Sequence, residues 1–224
     1  MNVLYLHGFA SSADSSKGRF FAERLAAHGV ELRRPDLNLP DFSTITVSRM
    51  VAAVEAAMAS LPPGRSALIG SSLGALVAWH VAARAERAGR TVDRLVLLAP
   101  ALDFGAHPLR ELGEAGMERW RRDGWREFFH HAYNAPRLVH YDLFEDARRH
   151  DAFAEHVTAP TLVFQGRHDT VVDPEMVARF AAVRPHVTLR LLDDDHQLHA
   201  SLERMWDETA RFLGIQGPGI GHWG

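Results

Sequence analysis

The stretch Ser66-Ala67-Leu68-Ile69-Gly70-Ser71-Ser72-Leu73-Gly74-Ala75-Leu76-Val77-Ala78 constrains the fold more than any other. It reads as a short apolar strand that turns sharply into an Ala-rich helix, with a serine at the turn. Gly70 and Gly74 flank Ser72 at minus two and plus two, the spacing of a strained strand-to-helix turn in which a larger side chain at either flank collides across the turn. Such a turn lifts the Ser72 hydroxyl above the sheet edge and brings the Leu73 N–H, at the start of the next helix, to where an oxyanion would form. The same pentad also describes a strand followed by a Ser/Gly-rich helix cap, so the rest of the chain has to decide between the two.

A continuous apolar run predicts a buried strand at Val3 to Leu6, Arg94 to Ala99 reads as another, and further strands are expected at Val30 to Arg33, Thr161 to Gln165 and Val187 to Leu192, in addition to the strand that precedes Ser72. Helical spacing of apolar residues lies between them. Helices are predicted from Lys17 to Ala27, Val47 to Leu61 (Val47, Met50, Val51, Val54 and Met58 on one stripe), Leu73 to Ala88, Pro174 to Val183 and Leu198 to Leu213. Alternation of strand and helix implies right-handed crossovers and a parallel sheet covered on both faces, an α/β fold. It breaks only between 101 and 157. There Leu109 to Arg121, Trp125 to Tyr133 and Leu143 to Phe153 read as short amphipathic helices, an insertion over the C-terminal edge of the sheet where open α/β folds bind ligands. The expected organisation is one domain over 1–214 with the insertion at 101–157, followed by a tail at 215–224.

A chain of 224 residues with 46% hydrophobic content supports one well-buried core. With a formal net charge of -3 there is no basic stripe, so a nucleic-acid partner is not expected, nor is steering of a strongly charged substrate. The chain has no cysteine, which excludes disulfides, thiolate metal sites and a cysteine nucleophile, and accords with a reducing compartment. The first residues lack the basic segment of a signal peptide, and no apolar run reaches membrane-spanning length. A soluble cytoplasmic protein with no membrane partner is expected; its oligomeric state stays open, a homodimer included.

Two polar loops follow predicted strands at the same sheet edge: Gly166-Arg167-His168-Asp169 through Pro174, and Asp193-Asp194-Asp195-His196-Gln197. A serine hydroxyl is protonated at neutral pH, so it needs a general base within hydrogen-bond reach, and that base needs an acid to fix its tautomer and stabilise its cation. Ser72, Asp169 and His196 supply these groups in the order serine, acid, histidine, each just after a strand.

With these residues in place, the chain resembles the α/β-hydrolases, and among them the small cytoplasmic serine esterases that begin at a strand ending in H-G-F. The residues that carry the resemblance are Leu6-His7-Gly8-Phe9-Ala10-Ser11-Ser12, Gly70-Ser71-Ser72-Leu73-Gly74, Gly166-Arg167-His168-Asp169 and Asp195-His196. The resemblance implies that Phe9 and Leu73 donate the oxyanion-hole N–H groups and that 101–157 is a helical lid after the fourth strand. Two departures stand out. The chain begins where the family's third strand would be, which implies a compact, six-stranded, all-parallel sheet, and Asp193-Asp194-Asp195 replaces the glycine usual before the histidine.

Other residues compete for these roles. Asp173 could act as the acid, but it precedes Pro174 and suits a helix N-cap. His199 would lie deeper in the last helix than His196. His7 suits a loop-organising role, and the Asp193–Asp195 triplet suits a solvated helix N-terminus better than a metal site. Of the lid aromatics, Trp120 and Trp125 are expected on the substrate side, and Phe128 and Phe129 between the lid helices. The reading is a serine hydrolase without cofactor or metal that forms an acyl-enzyme on Ser72. Its expected substrate is a small-molecule carboxylic ester with a short acyl chain. Thioesters, a perhydrolase or lyase with the same triad, and a non-catalytic binding protein on this fold remain alternatives, whereas Ser72 argues against the dehalogenase and epoxide-hydrolase chemistries that use an Asp nucleophile.

Overall fold

The computed structural model describes residues 1–107 and 109–215, so the tail expected at 215–224 lies outside the described residues except for Ile215. β1 (Asn2–Leu6), α1 (Ser16–Ala26) and β2 (Leu32–Arg33) open the chain, and α2 (Val47–Ala59), β3 (Ser66–Ser71), α3 (Leu73–Arg87) and β4 (Arg94–Leu98) follow. The insertion contributes α4 (Gly113–Asp123), β5 (Trp125–His130), β6 (Ala135–His140) and α5 (Asp142–Ala147). The chain then returns through β7 (Thr161–Gly166), α6 (Pro174–Ala182), β8 (Val187–Leu192) and α7 (Leu202–Leu213).

Among the described residues six strands pair, all parallel, in the order β2-β1-β3-β4-β7-β8. Because side chains alternate along a strand, the inner strands feed two cores. Leu4, Leu6, Leu68, Leu95 and Leu97 face one layer with Val51 and Val54 of α2 and Leu76 and Trp79 of α3. Val3, Tyr5, Ile69, Val96 and Leu98 face the other, with Phe21 and Leu25 of α1 and Met205 and Leu213 of α7. Parallel pairing places the C-terminal ends of all six strands at one edge. The loops that carry Ser72, Asp169 and His196 therefore leave the sheet on the same side.

The insertion differs from its expected form. Instead of a helix over Trp125 to Tyr133 there is an antiparallel hairpin, β5 with β6, in which Trp125 pairs with His140 and Phe129 with Pro136. Gly124 stops α4 in the left-handed region at φ 76°, and Asn134 takes φ 48° at the hairpin turn. The side chains between alternate with period two: Phe128 and His130 are buried, whereas Trp125 and Phe129 are exposed. The flanking helices are shorter than expected, since Gly113 at φ 57° delays α4 and α5 spans only Asp142–Ala147. Several bonds fasten the insertion to the body. Asp146 accepts the backbone N–H and the hydroxyl of Ser48 at 2.7 Å each, Trp79 Nε1–H donates to Ala152 O at 3.0 Å, and His131 N–H donates to Ala10 O at 2.9 Å.

Candidate active site

Ser72 sits between β3 and α3 with φ 52° and ψ -117°, a backbone state that costs a non-glycine residue roughly 1–3 kcal/mol and persists only where its surroundings impose it. The surroundings here are explicit. Ser72 N–H donates to Leu98 O at 2.9 Å, and Ser72 O accepts from Ala75 N–H at 3.0 Å. A Cβ on Gly70 would lie 2.5 Å from Gly74 O, and one on Gly74 would lie 2.2 Å from Leu6 O, so the two glycines let the elbow close on itself and on β1.

Asp169 follows β7, and its side chain is fully buried. Its Oδ2 lies 2.8 Å from His196 Nδ1 and accepts from Gln165 Nε2 at 2.9 Å, while Oδ1 accepts the Val171 and Val172 N–H groups at 2.8 Å each. Burial pushes this carboxyl upward, but the hydrogen bond and charge of His196 and the bonds from Val172 and Gln165 outweigh it, so Asp169 is held below the usual carboxylate range. The carboxylate can thus fix His196 with Nε2 free to accept a proton. Asp173 instead caps α6, accepting from Glu175 N–H at 3.1 Å. The loops that carry Asp169 and His196 pack in direct contact: a Cβ on Gly166 would lie 2.4 Å from Asp195 O.

His196 and His199 both stand in the loop before α7, which begins at Leu202 and not at Leu198 as its apolar spacing had implied. The reason is local: Leu198 takes φ 56°, which is incompatible with the helix. His199 bonds Ser16 Oγ at 2.8 Å and not Asp169. Nor do Asp193, Asp194 and Asp195 form a helix N-terminus: Asp193 pairs with His168 at 2.7 Å and Asp195 accepts from Gln197 N–H at 2.8 Å.

His7 is buried with Nδ1 2.9 Å from Gly8 O and Nε2 2.9 Å from Leu37 N. A carbonyl only accepts and an N–H only donates, so the ring carries its proton on Nδ1 and ties two loops together. In the planar trans peptide that follows, holding the Gly8 carbonyl towards His7 directs the Phe9 N–H the opposite way. The Leu73 N–H opens α3 and has no acceptor within the helix. Gly8, Phe9, Ser72, Leu73 and His196 all line one cleft of about 1990 Å³. Among the described residues no hydrogen bond joins Ser72 to His196; they share the cleft wall.

Trp120 and Trp125, expected on the substrate side, do not line that cleft. Trp120 is buried in the insertion with its Nε1–H donating to Val139 O at 3.0 Å, and Trp125 is half exposed with its ring on His140. Tyr5, Phe9, Phe104, Phe128, Phe129 and Phe153 supply the aromatic side of the cleft's lining. Phe9 is held by Phe42 and Phe128, with ring centroids 5.6 and 5.1 Å away. Sequence reasoning missed Gln165, a polar residue ending an otherwise apolar strand four positions before Asp169, and Lys17. A pocket of about 170 Å³ beside Pro62–Gly64 lies at the opposite strand ends, near Asn2 and Ser66.

The model of Uncharacterised protein family UPF0227 matches residues 2–213. No curated protein matches the chain. Among solved structures, a protein of Agrobacterium vitis S4 provisionally described as a hydrolase superposes with TM-score 0.82 at 24% identity over 96% of this chain and 88% of its own. Est1E from Butyrivibrio proteoclasticus, with ferulic acid bound, gives 0.80 at 20% identity over 96% and 88%. Mouse alpha/beta hydrolase domain-containing protein 10 gives 0.76 at 20% identity over 95% and 89%. Likeness at this level establishes the α/β-hydrolase fold. Among the described residues no helix is long and apolar enough to cross a membrane.

Proposed function

From the premise that this chain belongs to Uncharacterised protein family UPF0227 and has the α/β-hydrolase fold, we propose that it is a serine hydrolase of carboxylic esters. The observation that carries the reading is the bond of 2.8 Å between Asp169 Oδ2 and His196 Nδ1, opening onto the cleft that also holds the strained Ser72. Ser72 Oγ attacks the ester carbonyl carbon while His196 Nε2 takes its proton. The Phe9 and Leu73 N–H groups receive the developing oxyanion, the alcohol leaves with the proton from His196, and water then resolves the acyl-enzyme with His196 again as base.

The short-acyl preference expected from a small lid draws no support from the cleft, which is roomier than ordinary ligand pockets of about 300–1,000 Å³ and walled by phenylalanines. The proposed range therefore extends to longer and aromatic acyl groups. A series of p-nitrophenyl esters of rising acyl length, assayed with the wild type, Ser72→Ala and His196→Ala, tests the reading. Turnover should fall by about 10³-fold or more in both variants, with KM little changed. Equal, slow hydrolysis by all three proteins would end the hydrolase reading, and activity confined to the shortest acyl group would end the proposed range.

A further inference from the structure

Lys17 stands in the first turn of α1, yet it is only 7% exposed, and its ammonium reaches out of the helix to donate to Gln197 O at 2.8 Å. Among the described residues that is its one hydrogen bond, and it falls on the carbonyl next to His196. The charged groups that act on it are Asp195, Asp169 and Asp194, and His196 and His199 are the titratable groups on the same loop. Burial pushes Lys17 down to about 8 against the pull of those three carboxylates. A desolvated cation is costly, and the apolar packing of α1 through Phe21 and Leu25 has no need of one.

The loop it touches has such a need. Asp195 to Leu198 is a tight turn closed by Leu198 N–H to Asp195 O at 3.3 Å, with His196 and Gln197 at its two central positions. Leu198 is held at φ 56° with its side chain fully buried. Rotating the Gln197–Leu198 peptide by about half a turn would return Leu198 to ordinary negative φ. The same rotation would swing the Gln197 carbonyl away from Lys17 and turn the Leu198 N–H away from Asp195 O, opening the turn whose central position carries the His196 ring. The bond from Lys17 opposes that rotation, and the contact of Ser16 Oγ with His199 Nε2 at 2.8 Å fastens the loop one step further on.

We propose that Lys17 is a positioning residue for His196: its bond to the Gln197 carbonyl locks the turn in the one peptide orientation that keeps the imidazole on Asp169 and facing Ser72. The inference rests on the hydrolase reading above but can be tested apart from it. Lys17→Met keeps the length and the apolar stem and removes the donor; Lys17→Gln keeps polarity but falls short of the carbonyl. With p-nitrophenyl butyrate as probe, both variants should lose kcat by about 10- to 100-fold at unchanged KM. Amide hydrogen exchange of residues 195–199 should quicken in both while the sheet exchanges as in the wild type. A rise in KM at unchanged kcat would make Lys17 a substrate contact and overturn the proposal, as would wild-type kcat and wild-type exchange. Quickened exchange in the variants of a protein whose wild type turns over no ester would leave the positioning intact and remove the hydrolase reading instead.

Discussion

A hydroxyl group becomes a candidate nucleophile here because two positions beside it carry no side chain. A Cβ at Gly74 would meet Leu6 O at 2.2 Å and His7 O at 2.5 Å, both backbone atoms that cannot turn aside, so Gly74→Ala forces the elbow off β1. The displaced strand end is the one that leads into Gly8 and Phe9, whose N–H is proposed to face the oxyanion. Gly74→Ala should therefore cost about 2 kcal/mol or more of stability and at least tenfold in ester turnover, read by urea denaturation and by p-nitrophenyl ester assay. Wild-type values for both would mean that the close approach of β1 and α3 contributes nothing to the site. At this scale the residues of the candidate site that share the cleft and the Asp169–His196 bond were largely legible in the sequence. Ser72, Asp169 and His196 stand out because each polar residue follows an apolar strand. Gln165 and Lys17 do not: a glutamine at the end of a strand and a lysine in a first helical turn look ordinary until the fold turns one onto Asp169 and the other onto Gln197 O.

Among the elements, the β5–β6 hairpin is where sequence and structure part. Phe128 and Phe129 are adjacent, a doublet that suits a helix as well as a strand, and Pro136 argues against a strand around it. What selects the hairpin is tertiary: Phe128 packs edge-on against Phe9 and Trp120 at 5.1 Å each, and the neighbouring Phe129 is left 52% exposed. The four inner strands β1, β3, β4 and β7 were legible for the opposite reason, since a near-continuous apolar run suits a strand buried on both faces of a sheet, whereas the edge strands β2 and β8 carry charged residues. The two phenylalanines should behave differently. Phe128→Ala should lower stability by about 3 kcal/mol and slow all esters together, because Phe9 loses its support. Phe129→Ala should leave the melting temperature within about 2 °C and alter only the acyl-length profile, as expected for an exposed side chain on the cleft wall. Equal effects of the two changes on stability would contradict the alternation of the strand.

Across the whole molecule, one cluster couples the inserted segment to the body and contributes to the response to acid. His80 of α3 is 2% exposed, with Nδ1 3.4 Å from Glu155 and its ring edge-on to His150 at 4.9 Å; beside it Trp79 holds Ala152 O. Burial pushes His80 down to about 4, and the adjacent His150, lowered chiefly by its own burial, adds to the effect; Glu155 only partly opposes it. In the unfolded chain the imidazole binds a proton near its ordinary value of 6.5, so between pH 6.5 and 4 the unfolded state holds more protons than the folded one. Stability from this group is complete above that window and is lost as the pH falls through it, by up to roughly 3 kcal/mol at about 1.4 kcal/mol per unit. His150 also lines the cleft, so its pair with His80 lies where the inserted segment meets both α3 and the cleft wall. Urea denaturation at pH 4.5, 5.5 and 7 should show the wild type losing stability steeply, and His80→Leu, with no proton to take up, losing it along a shallower line. Parallel lines for the two proteins would mean that acid acts elsewhere in the fold.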